Sequence, residues 1–182
     1  MKWCFLIASI FCWIPGQGQH YKPDDAGSLI QFKIRNFGLY VEGSLKGLAG
    51  SITFDGNNLR DARFDVSVQS RTVDTGIALR DKHLKKEDYL DAGNFPFISF
   101  VSTSAVTQVN DSKDYQLTGK LTLKGVSKEI LVPFSISELS DGIQFKGELT
   151  INRNDFKVGG SSLSMGDEVK ISLRVKAVPT KP

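Results

Sequence analysis

Residues 77–100 read IALRDKHLKKEDYLDAGNFPFISF, a stretch that interrupts an otherwise regular pattern. On either side the chain alternates apolar and polar residues, whereas eight charged residues fall between Arg80 and Asp91. His83, the second and last histidine of the chain, lies among them, and an apolar run follows. Three interpretations compete: a catalytic or metal site around His83, a solvated surface helix, or a structural plug on a barrel that holds something else.

The flanking segments alternate apolar and polar residues, as β-strands do when one face is buried and the other is exposed to solvent. In GIQFKGELTI, residues 142–151, apolar Ile143, Phe145, Leu149 and Ile151 alternate with polar residues. The same period of two occurs in 62–68, 129–136 and 168–177, and weaker strands are predicted at 29–36, 39–45, 51–54, 95–101 and 115–123. Turn signals separate these runs, so we predict about nine antiparallel strands.

The chain is therefore predicted to be all-β. Parallel strands need long crossovers, and only the charged stretch leaves room for one. About eight or nine one-sided strands fit an extended, closed antiparallel barrel with a short helical insertion at about 76–91, since closure removes exposed edges. A β-sandwich is the main alternative.

Residues 1–18 have the order of a secretory signal peptide. Lys2 precedes an apolar run from Trp3 to Ile14, and a small-residue exit follows. We expect cleavage near residue 18, a single domain over residues 19–182, and a periplasmic or secreted location in a bacterium. A lipid anchor on Cys12 is the rival, but Phe11 is larger than the residue such signals place there. Both cysteines lie in this segment, so the mature chain is expected to contain no disulfide.

Several function classes are disfavoured. Without Lys2, 22 of the 23 basic residues remain against 20 acidic ones, and no basic block is longer than Lys85-Lys86, which argues against nucleic-acid binding. No apolar stretch after residue 19 has transmembrane length, so we do not expect an integral membrane protein. His83 lacks a set of further ligands at regular spacing, and no Gly-x-Ser-x-Gly elbow occurs. We therefore predict no metal, no cofactor and no catalytic residue.

The remaining evidence about function comes from the predicted core of the barrel. The chain has 12 phenylalanines, most of them on dry faces or at strand ends. A barrel of eight or nine strands is wide enough either to be filled by side chains or to hold one slender ligand. Periodicity alone does not distinguish a packed core from a ligand tunnel.

The residues around the charged stretch resemble the signature of the YceI-like family of exported lipid-binding proteins. The resemblance covers residues 28–177 in order. The matching elements are Asp74-Thr75, Arg80-Asp81-Lys82-His83-Leu84, Asp88-Tyr89-Leu90-Asp91, FPFISFVS at 95–102, LTGKLTLKGVSKEI at 117–130 and INRNDFKVGG at 151–160. One departure is Lys157, which stands where the family prefers glycine.

The resemblance implies a lipocalin-like barrel around an elongated apolar cavity that holds a polyisoprenoid or another long-chain amphiphile. On this reading the charged stretch is a structural cap, with Arg80 and Asp81 as an ion pair and His83 as a hydrogen-bonding anchor. An enzyme that uses Arg80 or His83 on an amphiphilic substrate is the alternative. The residues expected to line the cavity are Ile34, Phe64, Val66, Phe100, Phe134, Ile136, Phe145 and Leu149.

Overall fold

The computed structural model describes residues 18–109 and 113–180. Its ten strands all pair antiparallel, as the alternating sequence predicts. The strands are β1 (Gln19–Asn36), β2 (Leu39–Leu45), β3 (Ala49–Phe54), β4 (Arg63–Gln69), β5 (Phe97–Ser102), β6 (Thr107–Val109), β7 (Asp114–Leu123), β8 (Val126–Leu139), β9 (Gly142–Asn152) and β10 (Met165–Pro179).

Pairing of the first strand with the last closes the sheet into a barrel. The closed path runs β1-β3-β4-β5-β7-β8-β9-β10 and returns to β1. β2 and β3 share one edge of β1, and β5 and β6 share one edge of β7. The predicted all-β barrel of eight or nine strands is confirmed, with two short extra strands at its ends.

Both ends of the described chain belong to the barrel, and β1 and β10 are longer than the predicted strands at 29–36 and 168–177. His20 lies in β1 opposite Thr53, and its ring Nδ1 is 3.0 Å from Thr53 Oγ1. Near the other end, Pro179 pairs with Tyr21. Alternation is hidden in this region because β1 carries Pro23 and then an irregularity between Asp24 and Leu29. The predicted signal peptide, residues 1–18, lies outside the described residues except for its last position.

The helical insertion is shorter than predicted. Only Ala78–Leu84 forms an α-helix (α1), not the whole of 76–91. Beyond it the chain continues in tight turns, in which Tyr89 N–H donates to the Lys86 carbonyl and Ala92 N–H to the Lys85 carbonyl. Asp91 has φ of +46°, a left-handed conformation that does not continue a right-handed helix.

The wall of the barrel splits between β8 and β9. Their pairing runs from Leu139↔Gly142 to Phe134↔Gly147 and stops beside Pro133, which has no N–H to donate to a sheet. A 3-10 turn at Arg153–Phe156 follows β9 and contacts β8 and β10. Phe156 is almost fully buried beside the split. This turn therefore plugs the end of the barrel at which β8 and β9 diverge.

Arg153 fixes the loop that leads from this turn to β10. Its guanidinium is 2% exposed and makes five hydrogen bonds. The acceptors are the carbonyls of Val158, Gly160, Met165 and Gly166 and the carboxylate of Asp167. A buried arginine satisfied in this way ties the backbone of the loop to the first residues of β10.

We predict that Arg153→Met lowers the free energy of unfolding by about 3 kcal/mol or more, because it removes all five hydrogen bonds that this buried guanidinium makes. Asp167→Asn is the matched control: the Asp167 side chain is 55% exposed, so losing its charge should cost about 1 kcal/mol or less. Urea denaturation of both variants measures the difference. Equal losses would show that Arg153 acts mainly through Asp167.

Lys157 provides a second test of the same turn. It ends the 3-10 turn with φ of +56°, a region that favours glycine. We expect Lys157→Gly to raise the free energy of unfolding by about 0.5–1 kcal/mol, and Lys157→Ala to give no gain because alanine keeps the Cβ. A gain for both variants in urea denaturation would assign the effect to the lysine charge instead.

Candidate functional site

A cavity of about 410 Å³ runs along the inside of the barrel. It lies between two clusters of buried side chains. One cluster fills the end near Tyr21, Phe54, Ile143 and Ala177, and the other surrounds Phe156 at the end where the plug sits. The volume is within the range of about 300–1,000 Å³ that is usual for ligand pockets.

The inward-facing side chains show that the middle of the barrel is not filled. Along β10, Val169, Ile171, Leu173 and Val175 point inward but are only half-buried, whereas Ala177 in the same row is fully buried. Side chains in a packed core touch neighbours on all sides. These side chains instead border open space, so the sequence alternative of a ligand tunnel fits the interior better than a packed core.

Two inward-facing glycines keep this space open. A Cβ on Gly119 would overlap the ring of Phe100, and one on Gly43 would overlap the ring of Phe32. Each ring therefore lies flat against the wall, over a glycine on the neighbouring strand, and does not project into the middle of the barrel. Phe32 and Phe100 both line the cavity in this position.

Phenylalanines close the cavity at one end. Phe64 packs edge-to-face on Phe134 and Phe145, with ring centroids 5.8 and 5.3 Å apart. All three line the cavity and belong to the buried cluster beneath it. Further toward this end, burial raises the pKa of the Tyr21 hydroxyl, and the nearby carboxylates of Asp55 and Glu138 raise it further. The floor of the cavity is therefore formed by aromatic rings, and charged groups lie only beyond it.

The mouth of the cavity lies at the same end as the Arg153–Phe156 turn, where β1 ends and β10 begins. Asn36, Arg80, His83 and Tyr89 supply polar groups there, next to Met165. The rings of His83 and Tyr89 are in contact, with centroids 4.9 Å apart, and His83 is exposed to solvent although it lines the cavity. Polar groups and solvent thus meet the cavity at this end.

The charged segment is tied across the mouth through Thr75. Asp81, which is buried, accepts hydrogen bonds from the N–H and Oγ1 of Thr75. Arg80 donates from Nε to Thr75 Oγ1 at 2.7 Å and from Nη2 to the Thr75 carbonyl at 2.8 Å. The preceding residue, Asp74, exchanges two backbone hydrogen bonds with Ser44 of β2. The segment is therefore fastened to the barrel wall.

These contacts correct two expectations about the cap. Arg80 and Asp81 do not form an ion pair with each other, because consecutive residues on a helix point in different directions and both side chains turn to Thr75. His83 was expected to anchor the segment by hydrogen bonding. Within the described residues its side chain makes the ring contact with Tyr89 and no hydrogen bond.

Of the eight residues expected to line the cavity, Ile136 is the exception. It lies on the inward face of β8, two residues beyond Phe134 toward the closed end, and packs against the buried cluster. Periodicity identifies the inward face of a strand but not the height of the cavity along it. The seven that do line the cavity are Ile34, Phe64, Val66, Phe100, Phe134, Phe145 and Leu149.

Sequence reasoning also missed part of the wall. Leu173, Val169 and Ile171 of β10 line the cavity, as do Phe32 and Val41 near the mouth. The alternation in 168–177 already placed the β10 residues on a dry face, so that pattern was sufficient to include them. Phe32 and Val41 lie in weaker strand patterns, and only the pairing of β1 with β2 brings them together.

The described residues contain no cluster of three or more His, Cys, Asp or Glu side chains that could hold a metal ion. None of the helices in this part of the chain is long and apolar enough to cross a membrane.

The fold and the site define a class: closed antiparallel barrels with a long internal apolar cavity. The sequence profile of the YceI-like domain matches residues 21–177. The chain is 36% identical over 166 residues to a UPF0312 protein of Pseudomonas fluorescens, covering 84% of this chain and 77% of the relative. It is 31% identical over 170 residues to Protein YceI of Escherichia coli, covering 88% and 87%. The chain therefore belongs to the YceI-like family.

Solved structures share the fold. BcnA of Burkholderia cenocepacia superimposes with a TM-score of 0.79 at 25% identity, covering 84% of this chain and 98% of that one. A polyisoprenoid binding domain from Saccharophagus degradans gives a TM-score of 0.70 at 16% identity, covering 88% and 98%.

Tryptophan substitutions test whether the interior is hollow. Val66→Trp places the indole in the cavity, so we expect the free energy of unfolding to change by less than about 1 kcal/mol; Ile136→Trp overfills the packed end and should cost about 1–3 kcal/mol. Urea denaturation measures both. Binding of the dye ANS should fall for Val66→Trp and persist for folded Ile136→Trp. Equal destabilisation by the two substitutions would indicate a packed interior.

Proposed function

We propose that the protein is an exported binding protein that holds a long-chain amphiphile, such as a polyisoprenoid or another lipid, for sequestration or transport. One observation carries the proposal: an apolar cavity whose inward-facing walls remain half-buried because side chains do not fill it. Transfer of an apolar chain from water to such a space is favourable in proportion to the area removed from water.

The distribution of polar groups supports an amphiphile over a purely apolar ligand. The floor consists of phenylalanine rings, whereas Asn36, Arg80, His83 and Tyr89 gather at the mouth. A long ligand would place its apolar chain along the wall and its polar head near this group. The solved domain from Saccharophagus degradans, described as polyisoprenoid binding, has the same fold.

Binding is a better account of the mouth than catalysis. Arg80 already uses Nε and Nη2 to hold Thr75, and Asp81 is committed to the same residue. In the described part of the chain, no carboxylate hydrogen bonds to the His83 ring to orient it as a general base. Arg80 and Asp81 therefore hold the cap in place. Together with His83 they do not form an arrangement of catalytic groups that the enzyme alternative would need.

Export follows from the leader-like order of residues 1–18, with a periplasmic or secreted location as the consequence. The relatives in Pseudomonas fluorescens and Escherichia coli are bacterial proteins. A carrier of lipid between membranes needs such a location, because it must cross aqueous space with its ligand enclosed.

Mild purification followed by native mass spectrometry and organic extraction tests the proposal. We expect a bound lipid at up to one molecule per chain in the wild type, loss of that lipid in Val66→Trp, and retention in His83→Gln, whose side chain lies at the mouth. A wild type that never carries a lipid, and takes up none when mixed with polyprenol or phospholipid micelles, would refute the proposal. The denatured mass of the same sample should show loss of about 18 residues. A mass that retains Cys12 with an acyl group would contradict this cleavage.

A further inference from the structure

The four most exposed large apolar side chains of the described residues gather at one end of the barrel. Phe37 is 81% exposed, Leu39 73% and Leu79 80%, and Leu163 is fully exposed. Ile77, at 53%, lies just before α1. We call these five residues the mouth rim. Single exposed apolar residues are ordinary, but a concentration of them marks an interaction surface.

The three segments that carry the mouth rim meet around the cavity mouth. Phe37 N–H donates to the Ser164 carbonyl at 2.8 Å, which joins the β1–β2 turn to the loop that carries Leu163. Gly159 N–H donates to the Asp88 carbonyl at 2.7 Å, which joins this loop to the charged segment. Asn36 and Met165, which pair with each other, line the cavity immediately inside the rim.

Phe37 in particular is not explained by the fold. It has φ of +48°, a backbone conformation that bulky residues rarely adopt, and its side chain is almost entirely in solvent. A two-residue hairpin turn of this kind is better served by Asn or Asp before the glycine. A phenylalanine that is unfavourable for the turn and stays 81% exposed among the described residues is better explained by a contact that this part of the chain does not supply.

Charge does not account for this surface. Between residues 76 and 91 the chain carries four basic residues and four acidic residues, so the cap has no excess of either sign. On the paired strands β1 and β2, Lys33 Nζ donates to the Glu42 carboxylate at 2.7 Å, and this hydrogen bond raises the pKa of the lysine amine. Contact through the rim therefore depends on apolar groups more than on net charge.

We propose that the mouth rim docks on the surface of a lipid bilayer, with its apolar side chains in the interfacial layer and the cavity mouth against the acyl chains. The bilayer is the occupant that the geometry favours, because the rim continues directly into an apolar cavity. A lipid leaving the membrane through this contact never exposes its chain to water. This inference rests on the proposed function, because docking would serve to load or unload the lipid. Its test does not, because vesicle binding is measured independently of lipid in the cavity.

A tryptophan reporter makes the test direct, because both native tryptophans, Trp3 and Trp13, lie in the leader. The full chain with both replaced by phenylalanine receives Phe37→Trp or, as the control, Leu131→Trp on the outer face of β8. With phosphatidylcholine vesicles, the emission of the Phe37→Trp reporter should shift to the blue and be quenched by brominated phosphatidylcholine. The control emission should do neither. Added phosphatidylglycerol should change both results little.

Charged substitutions test the energetics. Leu79→Glu combined with Leu163→Glu should reduce the vesicle-bound fraction by about tenfold or more, whereas Leu131→Glu should leave it unchanged. Absence of the blue shift in the rim reporter, or equal loss for rim and control variants, would overturn the inference. The inference would also be overturned if analytical ultracentrifugation showed that the wild type is a dimer and that the rim variants are monomers.

Lipid content, measured on the same variants, keeps the two proposals apart. The rim variants should still hold lipid delivered from detergent micelles, because their cavity residues are unchanged. A wild type that carries lipid but does not bind vesicles overturns the docking site and leaves the binding function in place. A wild type that binds vesicles through the rim but never carries lipid supports the docking site and overturns the proposed function.

Discussion

Hydrogen bonding between β1 and β10 closes the barrel, and the cavity depends on this closure. The two strands pair from Tyr21↔Pro179 at the closed end to Asn36↔Met165 at the mouth, so the contact spans the whole wall. Because it joins the two ends of the described chain, it carries a large loss of chain entropy. Without it, the half-buried inward faces of β1 and β10 would both be open to water.

Closure permits a hollow middle because stability is supplied at the two ends. Interlocked aromatic rings around Phe64, Phe134 and Phe145 fill the closed end. At the mouth end, Phe156, held in the turn that Arg153 fixes, packs with Leu121 and Ile151 on the side of β7 and β9. Between them, glycines opposite Phe32 and Phe100 let the rings lie along the wall. A ligand-binding barrel must leave its centre unfilled, and here the packing energy is concentrated where it does not obstruct the cavity.

The sequence was sufficient for the barrel, for most of its strands and for the inward faces that include seven residues of the cavity wall, because alternation reports directly which side chains face inward. It could not give the depth of the cavity along a strand, which is why Ile136 was placed in the wall although it lies beneath the phenylalanine floor. The ion pair implied for the cap was also wrong: Arg80 and Asp81 are neighbours in the chain, but a helix turns them apart, and both side chains bond to Thr75. Contacts of that kind depend on how the segment crosses the mouth.

The separation of packed ends from a hollow middle has a consequence for variation of the ligand. Substitutions in a close-packed cluster create cavities or strain and cost stability, whereas a residue such as Leu173 or Ile171 borders open space and can change size with little loss of contacts. The middle of the wall can therefore change its shape while the ends keep the fold. A barrel built in this way can retain its architecture across relatives that share only about a third of their residues, as with the 36% and 31% identities seen here, and still accommodate different apolar chains.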